Sequence, residues 1–176
     1  MAKREPAPGG GAVAAITVSV AAGLVAMAAR YSVIEVHDSS ALVENAERLR
    51  VRAAHLADLD AEAYRTVIEA YASARHGDER EGVQQLRAAL TLAAEVPLEV
   101  AELGGETARL AGRLAAGGKH DVRGDAVTAL LLAEAATRSA AHLVAVNVEA
   151  CSGPMKLVRR AADSVAVARE AAGGLA

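Results

Sequence analysis

From Gly11 to Ala29 the chain carries 19 consecutive residues without a charge, and no other feature restricts its fold so strongly. A run of that length is where a membrane-spanning helix has to be weighed. Lys3 and Arg4 ahead of it, and Ala26-Met27-Ala28 near its end, also fit the outline of a secretory signal. The make-up of the run opposes both readings. It consists mostly of Ala, Gly, Val, Ser and Thr with few Leu or Ile, so its contribution to insertion is weak. Glu5 and Pro6-Ala7-Pro8-Gly9-Gly10-Gly11 stand where a signal needs a short basic lead into an unbroken apolar stretch. The run therefore reads as a buried helix of a soluble protein. Its small residues Gly11, Ala15, Ser19 and Gly23 recur every four positions, giving a face on which another helix can lie closely, in a bundle core or at a dimer seam. That face is expected to close a homodimer.

What can pack around such a helix follows from what the chain lacks. There is no Phe or Trp, and Tyr31, Tyr64 and Tyr71 are the only aromatic residues, so the core must be built of Ala, Val and Leu. That disfavours sandwiches and barrels and favours helices whose axes lie close together. With 176 residues, 53% of them apolar, the chain is too hydrophobic for disorder and suits one domain spanning 1–176. A net charge of −3, with no dense basic run, gives no affinity for polyanions, so nucleic acid is not an expected partner. Cys151 is the only cysteine, which excludes an intrachain disulfide and fits a reducing compartment.

Breakers divide the remainder into four more helices, and no alternating stretch supports a strand. The second helix runs from about Ser39, a good N-cap, to about Arg75, and the third from about Asp78 to Ala116 with Pro97 inside it, where a kink near Val96 is expected. Gly117-Gly118 closes the third, Gly124-Asp125 opens a fourth reaching about Cys151, and Ser152-Gly153-Pro154 precedes a fifth ending near Gly173. The expected fold is all-α, a single-domain bundle of about five helices with two of them long.

The second helix carries the sharpest signal. Leu42, Ala46, Leu49, Ala53, Leu56, Asp60, Ala63, Val67, Ala70 and Ala74 alternate steps of four and three, which puts them on one face. Asp60 interrupts this apolar stripe. An inward carboxylate is costly unless it is hydrogen-bonded, so Asp60 is the candidate functional acid, against the plainer possibility of a helix end or a water-filled gap. Val51, His55, Asp58, Glu62 and Arg65 share a separate polar face, where Asp58 reads as a solvated charge. Gly9-Gly10-Gly11-Ala12-Val13-Ala14 satisfies a dinucleotide-type glycine pattern, but with no strand before it the match has no structural context. What survives is a glycine loop entering a helix N-terminus, where free N–H groups can meet an anionic or polar ligand edge. His37, His55, His76, His120 and His142 show no metal-ligand spacing, and no metal is expected.

Several motifs taken in order resemble one family. Pro8-Gly9-Gly10-Gly11 before a small-residue helix, then Asp58-Leu59-Asp60-Ala61-Glu62-Ala63-Tyr64, Glu95-Val96-Pro97-Leu98 with Ala101-Glu102, Gly118 to Asp125 and Val144-Ala145-Val146-Asn147 together resemble the cyclodeaminase/cyclohydrolase family. That family comprises the C-terminal half of formimidoyltransferase-cyclodeaminase and single-domain methenyltetrahydrofolate cyclohydrolases. The resemblance implies an all-α, dimeric, cytoplasmic enzyme acting on a tetrahydrofolate derivative, without a further cofactor. It places a ligand among Pro8, Gly9, Gly10, Gly11, Asp58, Tyr64, Lys119 and Asn147, with Asp60 as the base and Asp125 as the group orienting the ring. Asp125 also reads as the N-cap of the fourth helix. The chain departs from the family pattern in four places: Ala12 stands for the usual Ser, Gly118-Lys119 for Gly-Asn, Gly124-Asp125 for Ser-Asp, and Leu143 near an expected Asn. The basic stretch that commonly follows the first helix is reduced to Arg30-Tyr31. The implied reaction is hydrolysis of 5,10-methenyltetrahydrofolate. The alternatives are formimidoyltetrahydrofolate cyclodeaminase and a non-catalytic member that binds a folate-like ligand or acts as an interaction module.

Overall fold

The uncharged run forms α1 (Gly10–Tyr31), and its small side chains let three helices crowd around it. A computed structural model describes residues 9–76 and 79–174. Within them α1 is followed by α2 (Ser39–His76), α3 (Glu79–Gly117), a short 3₁₀ turn (His120–Val122), α4 (Arg123–Cys151) and α5 (Met155–Gly173), with no strand among the described residues. The five-helix, all-α expectation holds. α2 starts at Ser39 itself, α3 runs unbroken through Pro97, and the 3₁₀ turn, which the sequence did not announce, starts α4 at Arg123.

α1 and α2 are antiparallel, and the small-residue face lies between them. Gly11 and Ala15 are buried, the Ser19 hydroxyl donates to the Arg50 carbonyl at 2.9 Å, and a Cβ at Gly23 would rest 3.4 Å from the Arg50 side chain. This corrects the expected dimer seam: the face that promised a second copy is closed by α2 of the same chain. The stripe of α2 faces inward as the spacing required, with Leu42, Ala46, Leu49, Ala53 and Leu56 all buried. A different face of α1 stays open, with Val13, Ile16 and Val20 at 42%, 43% and 54% exposure.

α4 also runs antiparallel to α1, and α3 packs against α2, α4 and α5. Glycines allow close approach here: a Cβ at Gly105 would lie 3.0 Å from the Ser164 carbonyl of α5, and one at Gly104 would strike the Thr137 hydroxyl of α4. At the far end of α1, the buried Ser32 hydroxyl donates to the Ala28 carbonyl at 2.9 Å and accepts the Lys119 N–H at 2.9 Å, which fastens the α3–α4 connection to α1. By length and composition α1 and the His120–Cys151 segment are each apolar enough to cross a membrane. In this fold their apolar residues supply much of the bundle core.

The lengths of the helices create the site. α1 has 22 residues whereas α2 and α3 have 38 and 39. Because α1 begins beside Asp60, α2 runs on past it for roughly four turns without a central helix to pack on. A second, smaller cluster of Val67, Ala89, Leu90, Ala93 and Cys151 joins this extension to α3 and α4.

Candidate active site

Beyond the N-terminus of α1, α2, α3 and α4 border a cavity of about 500 Å³. Its floor is the N-terminus of α1, Gly9 to Gly11. One wall is the inward face of α2, with Asp60, Ala63, Tyr64, Val67 and Tyr71. Leu90, Ala93 and Pro97 of α3 and Leu143, Val146, Asn147 and Ala150 of α4 complete it. The lining is mostly apolar with a few polar groups, the usual make-up of a small-molecule site.

Asp60 meets the helix N-terminus directly. The Ala12 N–H, one of the donors in the first turn of α1 that has no partner within the helix, donates to Asp60 Oδ2 at 2.9 Å. The contact requires glycine at position 11, because a Cβ there would fall inside the Asp60 carboxylate. Gly10 is less constrained: its Cβ would touch only Leu143 Cδ1 at 3.8 Å, an ordinary contact. Asp60 is half-buried, and burial raises its carboxyl above the usual aspartate value while the Ala12 N–H pulls it the other way. A carboxylate raised in this manner, in a cavity and beside a helix N-terminus, is equipped to take and return a proton.

Asn147 and the Ala93 carbonyl, next to Pro97, form the second polar element. Asn147 Nδ2 donates to the Ala93 carbonyl at 2.9 Å, and all three residues line the cavity. Tyr64 and Tyr71, at 47% and 46% exposure, stand along the α2 wall, so two of the three aromatic rings in the chain border this one space.

Of the residues singled out in the sequence, Gly9, Gly10, Gly11, Asp60, Tyr64 and Asn147 meet at the cavity. Pro8 lies outside the described residues. Asp58 is exposed on the polar face of α2 and does not line the cavity. Lys119 is at the other end of α1, its N–H bonded to Ser32 and its Nζ paired with Asp121 at 3.2 Å, and Asp125 follows in the first turn of α4. Asp125 is separated from Leu143, on the same helix, by roughly 27 Å of α-helical rise. Within one chain Asp125 and Lys119 therefore do not reach the cavity that holds Asp60. Nor is Asp125 the N-cap of α4; it lies in the first turn, where its charge complements the helix dipole. Tyr71 was missed although its signal was present: it is eleven residues, three helical turns, beyond Asp60 and shares its face.

A model of the formiminotransferase-cyclodeaminase family matches residues 1–164. The chain is 34% identical to a methenyltetrahydrofolate cyclohydrolase of Methylorubrum extorquens, in an alignment covering 84% of this chain and 74% of that protein. Its fold matches the crystal structure of a formiminotetrahydrofolate cyclodeaminase from Thermotoga maritima with a TM-score of 0.81 and 26% identity, over 98% of this chain and 86% of the other.

Proposed function

The chain belongs to the formiminotransferase-cyclodeaminase family, and from that premise we propose that it is a 5,10-methenyltetrahydrofolate cyclohydrolase. The observation that carries the proposal is Asp60, a half-buried carboxylate held by the N-terminus of α1 at the floor of an apolar cavity. Its relatives are named for ring chemistry on tetrahydrofolates, and the substrate of the proposed reaction is a cationic amidinium for which such a carboxylate is a suitable neighbour. Asp60 takes a proton from water as the new C–O bond forms at the carbon between the two folate nitrogens. The adduct then opens: one C–N bond breaks, the departing nitrogen receives a proton from the Asp60 carboxyl, and the hydroxyl proton leaves as the formyl C=O forms. One water is consumed and one proton released. Tyr64, Asn147 and the glycine floor hold the ring, and no cofactor besides the folate is used.

The enzyme works as a cytoplasmic homodimer that engages neither nucleic acid nor membrane. In support of the dimer, Val13, Ile16 and Val20 of α1 and Leu131 and Val146 of α4 are large apolar side chains left open to solvent. If two copies pair these faces antiparallel about a two-fold axis, the end of α4 carrying the partner's Asp125 and the partner's Lys119 approaches the glycine floor, which gives both residues access to a cavity. A second reading, a folate-binding protein without turnover, is favoured by Leu143: it lines the cavity where the family resemblance leads one to expect Asn. Purified protein mixed with 5,10-methenyltetrahydrofolate should abolish the methenyl absorbance. Binding without loss of absorbance would establish the non-catalytic reading, and ammonia release from formimidoyltetrahydrofolate would establish the cyclodeaminase.

A further inference from the structure

Pro97 lies inside α3, and a proline there has no N–H to give to the carbonyl four residues back, which is that of Ala93. That carbonyl is occupied from another helix, by Asn147 Nδ2 of α4 at 2.9 Å. An amide that gives its NH₂ group to a carbonyl has its orientation fixed, since its oxygen cannot face the same acceptor. Pro97, Ala93 and Asn147 all line the cavity, so the residue whose amide is anchored in this way borders the site.

We infer that Pro97 is a positioning residue for the bound ligand: by withholding an N–H from Ala93 it anchors the Asn147 amide and sets its oxygen as an acceptor in the cavity that holds Asp60. Any other residue at position 97 would offer its own N–H to Ala93 and complete the α-helical ladder. The Ala93 carbonyl would then turn toward the helix axis and share its two lone pairs between that N–H and the Asn147 amide, which weakens the bond to Asn147 and loosens its orientation. With Asp60 on α2 and Asn147 on α4, the cavity presents two acceptors from different walls, and it selects a ligand edge that carries N–H donors. This inference rests on the reading of the cavity as the folate site.

The test is a double-mutant cycle with Pro97→Ala and Asn147→Ala, assayed with 5,10-methenyltetrahydrofolate and by NMR of the Asn147 side-chain amide. Pro97→Ala should fold with an unchanged or higher Tm, because it restores a helical hydrogen bond. It should raise KM roughly five- to tenfold with kcat nearly unchanged, the effect of one lost hydrogen bond. In the Asn147→Ala background it should raise KM no further, since the two residues act as one. Additive effects would mean that Pro97 acts only through cavity shape, and an unchanged KM in both single variants would remove the amide from ligand binding; either result overturns the inference. If the wild-type protein shows no turnover, the proposed function fails by itself and the NMR arm still decides. A rigid Asn147 amide that becomes mobile in Pro97→Ala supports the positioning role, and one that stays rigid overturns it.

Discussion

Asp60 answers to two opposed demands. It interrupts an apolar stripe, and the fold accommodates it by ending α1 against it, so that one helix-terminal N–H is satisfied by a carboxylate 48 residues away in the chain. Asp60→Asn keeps the shape and an oxygen that can accept from Ala12, and should lower turnover by about 10²–10⁴-fold through loss of the base. The stability consequence has a definite sign. Burial raises the folded-state pKa of Asp60 above its unfolded value of 3.8, so the native state binds the proton more readily than the unfolded chain. The stability this confers is fully present below the unfolded pKa and is lost as pH rises through the folded one. Asp60→Asn should therefore gain on the wild type in urea denaturation at pH 7 relative to pH 4, and a difference that shrinks as pH rises would contradict the assignment. Beside it, Gly11→Ala should cost about 1–3 kcal/mol and abolish activity together, because the methyl group and the carboxylate claim the same space. Gly10→Ala, with only Leu143 near, should leave the melting temperature within a few degrees of the wild type.

At the scale of elements, the two ends of α1 serve different purposes. The N-terminal end makes the cavity floor, while the C-terminal end is fastened to the α3–α4 connection through Ser32. Ser32→Ala would leave the Lys119 N–H without its acceptor and should cost about 1–3 kcal/mol. KM for the folate should be unchanged where the cavity is completed within one chain, at the opposite end of the helix, and raised where the partner's Lys119 reaches it. Calorimetry and steady-state kinetics on one preparation check both halves of this expectation; a raised KM would place the Lys119 end of a partner at the cavity. The length mismatch between α1 and the α2–α3 pair is the reason a cavity exists here. Where α1 is present, Leu42 to Leu56 bury themselves against it, and beyond its first turn Asp60, Ala63, Tyr64, Val67 and Tyr71 line the cavity.

For the whole molecule, the separation of Asp125 from Asp60 becomes a measurable property of the assembly. If the cavity is completed by the partner's Asp125, Asp60→Asn and Asp125→Asn homodimers should each be weakly active. Mixing and re-annealing them should restore roughly a quarter of wild-type activity, because half the dimers are then mixed and each mixed dimer has one intact site. No recovery, with mixed dimers demonstrated by mass spectrometry, would confine the site to one chain. If the open apolar face of α1 closes the proposed dimer, Ile16→Lys, which places a charge on it, should shift the protein to monomer in sedimentation equilibrium, with activity falling in parallel.

Periodicity alone determined the inward face of α2 and the anomaly of Asp60 on it, because the side-chain direction of every residue in a long helix follows from its number. The absence of Phe and Trp likewise dictated closely packed helices, since Ala and Val fill a core only when the axes approach. Only the tertiary structure decided which partner each face received. The four-residue repeat of α1 is the same signal whether it meets α2 or a second copy, and chain connectivity gave it to α2. Pro97 reads in sequence as a kink, yet its consequence is an amide brought from 50 residues downstream to a carbonyl it left open. Asp125 reads as part of a family motif, but the rise of an α-helix carries it away from the cavity of its own chain. These outcomes depend on distances between segments remote in sequence, which local spacing does not encode.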